Sequence, residues 1–139
     1  MATKKKSMLV KDAMHKGVVS VDSSTTVKEA IHKMNELQLR SLVVIDFDCA
    51  LPGIVTQTDI VAAKLLAPEG KKIDDVAVGE IMTSRALTVE PNMSIREATA
   101  IIVKHRLHRV VVADPEDICN PVGILSLTDV MRYLEDHNF

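Results

Sequence analysis

Two heptapeptides hold the residue types from which chemistry could be built: Gly53-Ile-Val-Thr-Gln-Thr-Asp59 and Gly123-Ile-Leu-Ser-Leu-Thr-Asp129. In each, two hydroxyls and a carboxylate stand directly before an apolar helical pattern. A helix start presents unpaired amides and the positive end of a dipole, which suits phosphate oxygens. Thr56 and Thr58, or Ser126 and Thr128, add hydroxyl donors beside them. A carboxylate aimed at the same phosphate would repel it. Asp59 or Asp129 accepting from sugar hydroxyls, with phosphate on the other side of the helix tip, reconciles the two groups. A purely local reading stands beside this one. Thr56-x-x-Asp59 and Ser126-x-x-Asp129 are capping boxes, and Gly53 and Gly123 suit a bulge or close packing.

Other reactive residues offer less. Lys104-His-Arg-Leu-His-Arg109 is the densest cationic run, and its first three residues suit a solvated helix C-terminus. Arg109 could hold two phosphate oxygens at once, with His108 adding a donor. Arg40 is the matched cation of the first half. Cys49 and Cys119 occupy matching turns without a C-x-x-C spacing or a histidine at ligand spacing, which argues against zinc. They are expected to be reduced. His15, His32 and His137 read as surface residues, and Met14 and Met82 as core filler. There is no nucleophile elbow, Walker-type loop, metal cluster or acid–base pair, so no enzyme is expected.

Composition narrows the classes further. Of 139 residues, 47% are hydrophobic, enough to fill a core. Lys and Arg number 17 against 19 Asp and Glu, for a net charge of −2, which does not favour nucleic acid as a partner. Aromatics are 2% (Phe47, Tyr133 and Phe139), too few for base-stacking platforms. No stretch approaches the roughly 20 apolar residues that span a bilayer. Lys11 and Asp12 interrupt any signal-like core after Lys4-Lys5-Lys6. A cytoplasmic protein without a membrane partner is expected.

The elements that must position the heptapeptides are duplicated. Residues 10–46 against 78–114 give 9 identities in 37 positions, and the heptapeptides follow at a shift of 70. The expected boundaries are a tail at 1–9, a first domain at 10–67, a linker at 68–77 and a second domain at 78–136. Each half reads as β-α-β-β-α. A strand at Val18–Val21 or Ala86–Val89 leads to a helix opened by the capping box Thr26-x-x-Glu29 or Ser94-x-x-Glu97. The second of these helices, with Ala100-Ile-Ile-Val103, is expected to be the more buried. Leu42–Ile45 and Val110–Ala113 read as strands covered on both faces. Turns at 46–50 and 114–120 precede a further strand and a final helix. A half of about 60 residues would be marginal alone, so an α/β (α+β) fold is expected. Its two halves should be related by a pseudo-two-fold axis and packed through their sheets.

Taken together, these residues resemble a tandem pair of CBS (cystathionine β-synthase) domains, a Bateman module. The likeness spans about Val10 to Asp136 and rests on the Met-capped opening segments, the element order and Gly-h-x-[Ser/Thr]-x-[Ser/Thr]-Asp in both halves. It implies a regulatory, non-catalytic module that binds AMP, ADP, ATP or S-adenosylmethionine as regulatory ligand, without a catalytic cofactor. It also implies pairing into homodimers, and a conformational response passed to an effector protein that the sequence does not name. By the same likeness, Asp59 and Asp129 would take ribose. Thr56, Thr58, Ser126, Thr128, Arg40, His108 and Arg109 would lie near phosphate, since His108-Arg109 is similar to a phosphate-contacting pair in nucleotide-sensing members. The base would lie against Val19, Ser20 and Val21, or Leu87, Thr88 and Val89, with Val44 and Val112 as walls. Many members carry proline where Val43 and Val111 stand. The fuller cationic set of the second half implies unequal sites. The alternative is a ligand-free dimerisation and interaction module.

Overall fold

The computed structural model describes residues 8–46, 52–82 and 87–139. In chain order the elements are α1 (Val10–Ala13), β1 (His15–Lys16), β2 (Ser20–Asp22), α2 (Val27–Leu37), β3 (Ser41–Ile45), β4 (Gly53–Thr56) and α3 (Gln57–Leu65). Two 3-10 turns, Ile73–Asp75 and Val78–Glu80, lead to β5 (Thr88–Val89), α4 (Ile95–Lys104), β6 (Arg109–Val112), β7 (Gly123–Ser126) and α5 (Leu127–Asp136). The duplicated β-α-β-β-α order is therefore present. Cys49, Phe47, Leu51, Ala86 and the Lys4–Lys6 tail lie outside the described residues.

The compact units are not the sequence repeats. The first unit takes residues 19–82 of the described chain, and the second joins 8–18 to 87–139. Each repeat's opening segment has been handed to the other repeat's body. Val78 N–H donates to Thr25 O at 2.7 Å, Gly79 N–H to Ser23 O at 2.9 Å, and Val27 N–H to Val76 O at 2.8 Å. The equivalent bonds in the second unit are Val10 N–H to Met93 O at 2.8 Å, Lys11 N–H to Pro91 O at 3.0 Å, and Ile95 N–H to Met8 O at 3.2 Å. Val10 and Val78 are both fully buried, a burial worth about 1.5–3 kcal/mol each.

In the first unit β2 runs parallel to β3, which pairs antiparallel with β4. Val27, Ala30, Met34, Leu42, Val44, Val55, Ile60 and Val78 form its core. The 68–77 stretch is more than a passive linker: Ile73 and Val76 pack against that core, and Lys64 pairs with Asp74. In the second unit β5 runs parallel to β6, and β7 is antiparallel to it. A strand not foreseen in the sequence, β1, adds to β7 through His15 opposite Ile124 and Lys16 opposite Gly123. Gly17 N–H continues this edge to Val122 O at 2.8 Å.

Several local expectations are met and some are not. The Thr26–Glu29 box forms in both directions, whereas at α4 only the hydroxyl half forms, Ser94 accepting from Glu97 N–H at 3.1 Å. Four residues of α4 are buried against three of α2, yet Val103 stands 64% exposed. His137 is no simple surface residue. Its ring stacks on Tyr133 with centroids 4.4 Å apart, and its Nε2 is buried without a partner among the described residues. Cys119 is disulfide-bonded, which overturns the expectation of a reduced thiol there. No helix among the described residues is long and apolar enough to cross a membrane.

Gly123 is where β1 presses closest: a Cβ there would sit 2.6 Å from His15 O and 2.7 Å from Met14 Sδ. Since the carbonyl belongs to the backbone, Gly123→Ala should lower stability by about 1–3 kcal/mol, read as a reduced denaturation midpoint.

Candidate functional site

Each heptapeptide ends a strand and opens a helix. Thr56 is the N-cap of α3: its Oγ1 accepts from Asp59 N–H at 3.2 Å, and Asp59 Oδ2 accepts from Thr56 N–H at 2.9 Å. Ser126 caps α5 in the same way, with Asp129 N–H to Ser126 Oγ at 3.2 Å and Ser126 N–H to Asp129 Oδ2 at 2.9 Å. The capping reading of the motif therefore holds in both units.

Strand pairing collects the remaining candidates at one end of each sheet. Ser41 stands opposite Thr56, and Gln57 N–H donates to Arg40 O at 3.1 Å. Arg109 stands opposite Ser126, and Leu127 N–H donates to His108 O at 2.9 Å. Arg40 and His108 are exposed, whereas Arg109 is half-buried. Because β2 is parallel to β3 and β5 to β6, Val19, Ser20 and Val21, and likewise Leu87 and Thr88, begin at that same end. There Val43 N–H binds Val19 O at 3.1 Å and Val111 N–H binds Leu87 O at 3.3 Å. Val44, Val89 and Val112 are different: they are at most 1% exposed and lie within the two cores. They are packing residues of those cores.

Both helix starts are narrower anion sites than their sequence implies. Of the first three amides of α3, Gln57 N–H is used by Arg40 O and Asp59 N–H by Thr56 Oγ1. Only Thr58 N–H has no partner among the described residues. Thr128 N–H holds the same place in α5. The side chains of Thr58 and Thr128 are exposed beside these amides.

The two carboxylates are in unlike states. Asp129 is 7% exposed, and both its oxygens are engaged. Oδ2 also accepts from Ser126 Oγ at 2.9 Å, and Oδ1 faces Arg132 Nη1 at 3.3 Å. Asp59 keeps Oδ1 without a partner among the described residues. Asp59 lines a groove of about 380 Å³ together with Ala62, Leu66, Pro68, Lys71 and Ile73. The two units thus differ in how their carboxylates are engaged: among the described residues the unpartnered oxygen is in the first unit. Arg132 was missed by sequence reasoning although its i,i+3 spacing from Asp129 was visible; the matched residue, Ala62, cannot pair. No group of three or more His, Cys, Asp or Glu among the described residues could hold a metal.

The CBS domain family model matches residues 10–66 and again 78–136. The chain belongs to the CBS domain family, as a tandem pair or Bateman module, and the paired domains are a non-catalytic regulatory unit. An uncharacterised protein of Methanopyrus kandleri is 27% identical over 91% of this chain, which spans 63% of that relative's length. Among solved structures, a CBS domain pair in complex with 5′-methylthioadenosine and S-adenosyl-L-methionine superimposes with a TM-score of 0.78 at 25% identity, covering 93% of this chain and 97% of that one. A hexameric CBS-CP12 protein from bloom-forming cyanobacteria gives a TM-score of 0.78 at 26% identity, covering 95% and 76%.

The unlike carboxylates predict unlike stability effects. Asp129→Ala strips a buried network and should cost about 1–3 kcal/mol, while Asp59→Ala should cost about 0.5–2 kcal/mol as a lost cap. Urea midpoints of the two variants measure the difference.

Proposed function

We propose that the chain is a regulatory sensor of an adenosine-containing ligand, AMP, ADP, ATP or S-adenosylmethionine, and that the first unit holds its principal site. The supporting observation is Asp59: a carboxylate fixed by its own cap, with one oxygen unpartnered among the described residues, in the lining of a groove. In this reading Oδ1 accepts from the ribose hydroxyls. The Thr58 amide, the hydroxyls of Thr56 and Thr58, and Arg40 lie on the side suited to phosphate. Ser126, Thr128, His108 and Arg109 form the matched set around Asp129, where Arg132 competes for the acceptor and weakens any second site. Val19, Ser20 and Val21, or Leu87 and Thr88, would lie toward the base, while Val44, Val89 and Val112 serve as core beneath it. A ligand that prefers one arrangement of the chain shifts its population, and an effector protein reads that shift.

Calorimetric titration with adenosine compounds tests this. Asp59→Ala should weaken binding about 10- to 150-fold, and Asp129→Ala should weaken it less. Ligand at 100 times its dissociation constant should stabilise the wild type by about 2.7 kcal/mol. No response to any adenosine compound would sink the reading.

A second reading, an interaction module that works as a homodimer, has its own support. A groove of about 710 Å³ between α2 and α3 is lined by Ile31, Met34, Ile60, Val61 and Leu65. Val61 is 63% and Leu65 79% exposed, an apolar face suited to a second copy. If that face pairs, Val61→Glu with Leu65→Glu should convert a dimer to a monomer in sedimentation velocity; an unchanged sedimentation coefficient would exclude the face.

A further inference from the structure

A groove of about 500 Å³ in the first unit gathers charges from three places: Lys28 in the first turn of α2, Lys64 in the last turn of α3, and Lys71, Lys72, Asp74 and Asp75 in the stretch after α3. Four lysines against two aspartates leave a local excess of +2 in a chain whose total charge is −2. Ala67 and Ile73, both half-buried, supply its apolar lining. Little in the fold accounts for this collection. Lys64 is in an ion pair with Asp74, and its hydrogen bond, with the fields of Lys64 and Lys28, holds that carboxyl below the ordinary carboxylate range. Lys28, Lys71 and Lys72 are exposed and have no ion pair among the described residues. Lys28 also sits at a helix start, where the dipole disfavours a cation. Gathering like charges costs Coulomb energy, and a local preference broken without a structural return marks a functional surface.

We infer that this groove is a docking surface for an acidic segment of a partner protein, one whose carboxylates alternate with apolar side chains. The lysines complement the carboxylates, and Ala67 and Ile73 complement the apolar side chains. Asp74 and Asp75 decide against other polyanions. A polyphosphate or a nucleic-acid strand carries charge at every repeat and would meet both aspartates with its own. A peptide can set an apolar side chain or a backbone N–H there. The inference stands apart from the adenosine reading, since it uses neither Asp59 nor a nucleotide.

The test is fluorescence anisotropy on the full chain with a short labelled peptide of glutamate pairs separated by leucines. The wild type should bind it, and at least about 10-fold more weakly at high salt than at low salt. Lys28→Ala/Lys72→Ala should lose about 10-fold or more of that affinity. Arg96→Ala/Lys104→Ala removes the same charge from exposed positions of α4 and should change it less than about twofold. Urea midpoints close to the wild type establish that both variants are folded. An all-glutamate peptide of the same length should bind more weakly than the leucine-containing one. No binding to the wild type, equal affinity for the two peptides, or an equal loss in both variants would overturn the inference. So would tighter binding of tripolyphosphate or of a single-stranded oligonucleotide than of the peptide. None of these outcomes bears on the adenosine reading.

Discussion

Val10 and Val78 each complete the core of one unit. Each is fully buried in the core of the unit formed mainly by the other repeat. Each is fixed by a backbone hydrogen bond to the residue that precedes an N-cap by one position, Met93 or Thr25. The backbone bonds set the register of the segment and the valine supplies its apolar burial, so the helix that follows begins against a completed wall. From that wall the rest follows: α2 and α4 cover the parallel strand pairs, and the antiparallel strands then deliver Thr56 and Ser126 to the same end of each sheet as Arg40 and Arg109.

Local chemistry was legible in the sequence. The capping boxes at Thr26, Thr56 and Ser126, the β-branched strands and the duplicated order all depend on residues within a few positions of one another. What depended on distant partners was not. The exchange of opening segments is invisible in an alignment of repeats, because Val10 and Val78 look equivalent whichever body they fill. β1 has only two residues and exists because Gly123 leaves room for it. Whether the outer carboxylate oxygen meets a cation turned on a single position, Arg132 against Ala62, which the heptapeptide does not contain. The place of Val44 and Val112 in the cores is not legible either, because a run of valines does not reveal which face each will take.

The duplication preserved geometry more faithfully than charge. Even the left-handed residues that end the first helix of each repeat coincide, with φ of 54° at Gln38 and 53° at Arg106. Around that shared frame the polar side chains have diverged. One unit leaves a carboxylate oxygen unpartnered among the described residues, and the other sets its buried carboxylate against an exposed arginine.

The exchanged segments also bear on how the gene could change. A deletion or recombination falling between the repeats would remove one domain by sequence and at the same stroke unplug the core of the survivor. Through the crossing of two short stretches of chain, each unit draws part of its core from the other repeat.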